Sequence, residues 1–180
     1  MMDIPVSTRI QLKDTVVEAS APCRFDMGGT LDLSTFYLPL RHLHPCTFNI
    51  AIDMRTQVRL SAFEAGKIKV SSLGFESLVV AADEAPFDHP LGLMFAVARY
   101  FQADGVHIDI HSTSPPRSAL GGSSVAASAL IWAFSKVLNT AGHPMPEPGS
   151  AAMLAHAVEQ SVAGVPAGGL LWCAACFQRY

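Results

Sequence analysis

The sequence predicts a mixed fold, with extended strands concentrated in the first half of the chain and alanine-rich helices in the second. Three observations carry this expectation. Gly105 to His111 (GVHIDIH) alternates strictly, setting Val106, Ile108 and Ile110 on one face and His107, Asp109 and His111 on the other, which is the period of a half-buried strand. Before it lie several short apolar stretches bounded by turn residues, each of strand length. After it, Ser123 to Leu138 and Ala151 to Val162 are alanine-rich runs too long for strands and well suited to helices.

Composition narrows the class. A chain of 180 residues can bury one sizeable core, or one domain and part of another. Apolar residues make up 50% and charged residues only 15%, which indicates a packed globular protein rather than a disordered one. The net charge of −3 provides no global basic field for nucleic acid. No apolar run reaches the roughly 18 residues of a membrane span. The opening MMDIPVSTRIQLKD carries acids and lacks the apolar segment of a secretory signal, so a cytoplasmic location is expected. Of four cysteines, Cys23 and Cys46 lie in apolar segments and read as small hydrophobes. Cys173 and Cys176 form a single CxxC with no second pair or histidine to complete a metal set, and they receive no role.

In chain order, Val16 to Met27 reads as a strand running into Gly28, Gly29 and Thr30, and Pro22 marks it as an edge or bulged strand. Arg24, Asp26 and Asp32 gather charge around the double glycine. Two readings fit: a turn whose carboxylates cap backbone N–H groups with Arg24 as their partner, or a polar substrate pocket. Cys46 to Met54 and Gln57 to Phe63 read as two strands joined at Asp53 to Thr56. Lys67 to Ser71 and Phe75 to Val80 read as a hairpin turning at Ser72 to Gly74, which completes a meander of about four strands. Arg55, Arg59, Lys67 and Lys69 then form its solvent face.

Pro86 to Pro90 is a loop and Leu91 to Gln102 an amphipathic helix. His107 and His111 sit on the polar face of their strand without a visible third ligand, so solvation is the simpler reading. Ala141 to Ser150 is a proline-rich connector between the two long helices. The second of these carries His156 and Glu159. The carboxylate near the end of an apolar helix is either a surface group or one that faces the turn before Ser123.

That turn is the centre of the chain. Pro115 to Leu130 reads PPRSALGGSSVAASAL. The prolines stop the preceding strand, and Gly121 and Gly122 can adopt positive φ and let a ligand approach bare backbone. Ser123 or Ser124 can cap the helix, leaving first-turn N–H groups to face an anion. A glycine-rich turn feeding a helix N-terminus is a common phosphate cradle. A flexible loop before a capped core helix is the competing reading.

Three segments together resemble the GHMP kinases. PRSALGGSSVAA (Pro116 to Ala127) resembles that superfamily's phosphate motif P-x-x-x-G-L-G-S-S-A-A. APCRFDMGGTLDL (Ala21 to Leu33) resembles its first motif, an A-P-x-R segment leading to a glycine-rich turn and T-D. HAVEQSVAGVPAG (His156 to Gly168) resembles the helix and turn that carry a metal-binding glutamate and then a catalytic aspartate. The resemblance implies an α+β N-terminal domain of the ribosomal-protein-S5 domain 2-like type over residues 1–168. Residues 169–180 then form a divergent tail, and the family's C-terminal ferredoxin-like domain is absent. It also implies ATP-dependent phosphoryl transfer to a hydroxyl of a sugar or sugar phosphate, with Mg²⁺ as cofactor. A homodimer stays open, and neither nucleic acid nor membrane is an expected partner.

Carried onto this sequence, the resemblance assigns Pro116, Ser118, Ala119, Leu120, Gly121, Gly122, Ser123 and Ser124 to the nucleotide. It assigns Arg24, Gly28, Gly29, Thr30 and Asp32 to the substrate, with Arg24 also near the transferred phosphate. Ser124 and Glu159 fall to Mg²⁺. The chain departs from the family in three places. Arg117 to Gly122 is less glycine-rich than the family run. Leu31 separates Thr30 from Asp32. Leu170 or Leu171 stands where the family has its catalytic aspartate, and leucine can neither take a proton nor bind a metal. From Gly169 on, GLLWCAACFQRY departs from the family pattern. A non-catalytic nucleotide- or phosphate-binding module of the same fold is therefore the alternative reading.

Overall fold

The computed structural model describes residues 10, 12, 15–26, 39–44, 48–115, 118 and 120–163. Among these, five strands form one sheet: β1 (Val17–Asp26), β2 (Asn49–Ala62), β3 (Lys67–Ser72), β4 (Leu78–Ala81) and β5 (Val106–Ser112). Three helices, α1 (Gly92–Tyr100), α2 (Gly122–Thr140) and α3 (Pro148–Ala163), pack together, and α1 and α2 also contact the sheet. The strand order is β1-β2-β5-β3-β4, antiparallel except for the parallel pair β3–β5. A parallel pair needs a crossover, and here the chain leaves β3, returns through β4 and runs along α1 before entering β5.

Alternation decides which face is covered. Val58 and Leu60 of β2, Ile68 and Val70 of β3, and Ile108 and Ile110 of β5 are all buried. Their neighbours Gln57, Arg59, Asp109 and His111 are exposed on the opposite face. On the covered side Phe95 and Phe101 meet Phe134 and Leu130 of α2, and the Phe101 and Phe134 rings stack at 5.1 Å. Burying each such side chain contributes about 1.5–3 kcal/mol, so this cluster fixes α2 against the sheet. Cys23 is fully buried, as its apolar setting predicts.

Much of the expected pattern is present. β1 is an edge strand, and its register shifts between Pro22 and Arg24 because proline lacks the N–H that a regular ladder requires. The β3–β4 hairpin turns where expected, at Ser72 to Gly74, with β4 beginning at Leu78 instead of Phe75.

Two expectations are corrected. Cys46 to Met54 and Gln57 to Phe63 are not two strands: β2 is one strand of 14 residues, and Asp53 to Thr56 lies within it. That tetrapeptide has neither glycine nor proline to turn the chain. The β1 bulge absorbs the irregularity, and Arg55 N–H donates to Thr113 Oγ1 at 2.8 Å beside β5. The four-strand meander is also replaced, because β5 inserts between β2 and β3. The solvent-face reading of the charges holds for Arg59 and Lys67, whereas Arg55 is half-buried and donates from Nε to Ser20 Oγ at 3.0 Å.

Candidate functional site

The helix α2 begins immediately after Gly121, which occupies the left-handed region at φ +76° and ψ 30°. Val125 N–H donates to Gly121 O at 2.9 Å, the first bond of the helical ladder. This corrects the expectation that Ser123 or Ser124 caps the helix. Gly121 is the cap residue, no side-chain cap bond to the first turn is present among the described residues, and both serines lie inside the helix. The physical reason is the backbone: an L side chain pays about 1–2 kcal/mol in the left-handed region, so glycine takes the turn and the serines follow it. The first-turn N–H groups are thus left without a side-chain cap, at the positive end of a 19-residue helix.

Arg24 packs behind this turn. A Cβ placed on Gly121 would overlap Arg24 Nη1 and lie 3.1 Å from its Cζ, so only glycine admits the guanidinium so close to the backbone. Arg24 is 7% exposed although it comes from an edge strand. The guanidinium thus backs the turn, and the helix N-terminus in front of it is the element that favours an anion. Gly122 and Ser123 are exposed, and a Cβ on Gly122 would meet nothing within 4 Å, so among the described residues the approach to the turn is open.

Ser124, buried in the first turn of α2, donates from Oγ to Glu159 Oε1 of α3 at 3.2 Å. Glu159 is half-buried and faces the turn, which decides between the two sequence readings in favour of a carboxylate aimed at the helix start. A hydroxyl and a carboxylate at this spacing are two hard oxygen donors of the kind Mg²⁺ takes.

Beside the turn lies a cavity of about 550 Å³. One wall is the β3–β4 turn, Ser72 to Phe75; a second is the start of α1, Leu91, Leu93 and Met94; the floor carries Thr56 and Ile110; and Gly121, Gly122 and Ser123 close one end. Its polar side is a chain of hydroxyls: Thr56 Oγ1 lies 2.9 Å from Ser112 Oγ, which lies 2.9 Å from Ser114 Oγ. Ser118 also lines this space. An apolar compartment opening onto an anion-favouring helix end is the shape of a site for a ligand with a flat apolar part and a charged tail.

Of the sequence-assigned residues, the structure therefore brings together Arg24, Gly121, Gly122, Ser123, Ser124 and Glu159. Ser118 borders the cavity, and Leu120 is half-buried at the approach to Gly121. Pro116, Arg117, Ala119, Gly28, Gly29, Thr30, Asp32, Leu170 and Leu171 lie outside the described residues, as do Cys173 and Cys176. The residues that sequence reasoning missed are the cavity walls. Thr56, Leu73, Phe75 and Met94 come from three separate elements, and the one local signal among them is Leu73–Gly74–Phe75, an apolar hairpin turn whose large side chains are 69% and 50% exposed. Among the described residues no group of three histidine, cysteine or carboxylate side chains could hold a metal; His111 is exposed, whereas His107 is half-buried and bonded to Ser71. No helix among them is long and apolar enough to cross a membrane.

Comparison with known proteins agrees with this geometry. The family model of the GHMP kinases N terminal domain matches residues 90–179, half of the chain, and so includes both the α2 turn and the stretch from Gly169. A search of curated proteins finds no match. Among solved structures, a D-glycero-D-manno-heptose 1-phosphate kinase from Bacteriodes thetaiotaomicron superposes with a TM-score of 0.71 at 19% identity, covering 91% of this chain and 54% of that one. The Lactococcus lactis galactokinase, solved with galactose, gives 0.68 at 16% identity over 88% of this chain and 41% of that one. The Methanococcus jannaschii mevalonate kinase gives 0.63 at 16% identity over 86% and 49%. The chain thus spans about half the length of the solved structures it matches, and at these identities the likeness is one of fold. With the family model spanning α1 through the phosphate-type turn to residue 179, and the architecture the same, the chain belongs to the GHMP kinases.

Proposed function

We propose that this chain binds ATP with Mg²⁺ and serves phosphoryl transfer to a hydroxyl of a sugar or sugar phosphate. The observation that carries the proposal is the uncapped N-terminus of α2 at the left-handed Gly121, backed by buried Arg24 and opening onto the cavity. The apolar walls at Leu73, Phe75, Leu91 and Met94 would take the nucleotide base. The N–H groups from Gly121 to Ser124 would take the phosphates, with the helix dipole adding to each hydrogen bond. The Ser124–Glu159 pair supplies oxygen donors suited to Mg²⁺, which when bound neutralises phosphate charge.

Phosphoryl transfer asks chiefly for positioning and charge neutralisation. The acceptor hydroxyl oxygen bonds to the γ-phosphorus as the bond from phosphorus to the β-bridging oxygen breaks, ADP leaves, and the hydroxyl's proton passes to water. By their match to the family's first motif, Arg24 would balance charge on the transferred group, and Asp32, Gly28, Gly29 and Thr30 would recognise the acceptor. The sugar class follows the heptose 1-phosphate kinase and galactokinase to which the fold is similar.

Leu170 and Leu171, at the family's aspartate position, favour a second reading: the same cleft binds nucleotide without transferring phosphate. One experiment separates the two. The chain is incubated with Mg²⁺ and ATP, with and without a panel of sugars and sugar phosphates, while thermal stability and ADP are both followed. Stabilisation with sugar-dependent ADP supports the kinase; stabilisation without ADP supports the binding module; no stabilisation contradicts both.

A further inference from the structure

On the face of the sheet away from the cavity, Ser77 Oγ donates to Ser71 Oγ at 3.1 Å, and Ser71 Oγ lies 2.9 Å from His107 Nε2. This chain of three side chains spans the β3–β4 turn and ties it to β5, the strand beside β3 in the parallel pair. Ser71 Oγ accepts from Ser77 and is hydrogen-bonded to Nε2, donating to that nitrogen when it is bare and accepting from it when it carries the proton. The turn enclosed by Ser71 and Ser77 is the one whose other side, Ser72 to Phe75, walls the cavity.

The ladder holds the turn at its base, where Ser72 pairs with Ile110 of β5 and Val70 with Leu78 of β4, but its tip is lightly held. Leu73 and Phe75 are 69% and 50% exposed and so gain little from burial, and Gly74 sits at φ +86°. Across the turn itself the backbone contributes Phe75 N–H to Ser72 O at 3.1 Å. A turn with so few packed contacts opens easily, and a ligand that needs it closed binds more weakly by the fraction of time it is open.

We propose that Ser77, Ser71 and His107 are positioning residues for the cleft: their hydrogen-bond chain holds the Ser72–Phe75 turn in its ligand-ready place. The assignment rests on reading the cleft as a nucleotide site. Losing one such bond should weaken ATP binding about two- to fivefold, the upper value being the whole of one net hydrogen bond. None of the three side chains lines the cavity, so the effect reaches the ligand only through the turn.

The test uses the full chain and two readouts: calorimetric affinity for ATP with Mg²⁺, and amide hydrogen exchange across residues 72–77 without nucleotide. Ser71→Ala and Ser77→Ala should each speed exchange in the turn and weaken ATP. His107→Gln, which keeps an acceptor for Ser71, should lose less than His107→Leu. Gln57→Ala, exposed on β2 and paired with His111 rather than His107, should change neither readout. Faster exchange in a chain that binds no ATP even as wild type overturns the nucleotide reading while leaving the turn's restraint intact. Wild-type exchange and wild-type affinity in Ser71→Ala and Ser77→Ala, with both proteins folded, overturn the positioning role.

Discussion

Replacing Gly121 by alanine tests the turn at its most constrained point. The left-handed φ of +76° costs an L residue about 1–2 kcal/mol by itself. The added methyl would also overlap Arg24 Nη1, and because Arg24 is 7% exposed its guanidinium has little free space into which to move. Displacing a buried cation from its packed place adds about 1–2 kcal/mol, giving about 2–4 kcal/mol in all. For a domain of this size that lowers the melting temperature by roughly 5–12 °C. The control is next door: Gly122 has ordinary φ and open space around its Cβ, so Gly122→Ala should change stability by less than about 1 kcal/mol. Urea unfolding of both variants gives the comparison, with equal m-values confirming that the native state alone has changed. If Gly121→Ala is no less stable than Gly122→Ala, the left-handed turn and the Arg24 contact are not what the geometry describes.

Other expectations follow from the same contacts. Gly92→Ala sets a methyl against the backbone carbonyl of Phe87, which cannot swing aside as a side chain can, and should cost about 1–3 kcal/mol by denaturation while shifting the start of α1. Glu159→Gln keeps an acceptor for Ser124 but removes the charge, so ATP binding should need about tenfold more Mg²⁺ with the melting temperature little changed; unchanged Mg²⁺ dependence would separate Glu159 from the metal. Burial and nearby Lys69 push the His107 pKa below 6.5, with Asp109 opposing them more weakly. The unfolded chain therefore binds the proton more readily, so stability should fall as pH drops below about 6.5 and level off once His107 is protonated in the fold, a slope that His107→Gln should flatten.

How much of this could be read from the sequence depends on how local each feature is. The faces of β5 were legible because VHIDIH alternates from Val106 to His111, and Pro22 marked the β1 bulge because a missing N–H has one meaning in a ladder. The α2 turn was legible from GGSS, but its cap was not. Serine is the usual choice at that position, and only the packing of Arg24 from a strand nearly 100 residues earlier shows why glycine holds it. The length of β2 and the insertion of β5 beside β3 are set by pairings far apart in the chain, which no local period records. Glu159 carried two readings in the sequence, and its 3.2 Å bond with Ser124 selects one of them. The cavity is lined from β2, the β3–β4 turn, α1, β5 and α2, so their conjunction existed only once the sheet order was known.

The central claim is that nucleotide phosphates sit on the N-terminus of α2. Titrating the isotope-labelled chain with Mg²⁺ and a non-hydrolysable ATP analogue, while following each backbone amide by NMR, addresses it directly. The account predicts saturable shifts concentrated at Gly121 to Ser124, accompanied by Leu73 to Phe75 on the cavity wall. Saturable binding that leaves the Gly121 to Ser124 amides unmoved, or no binding at all, would contradict it.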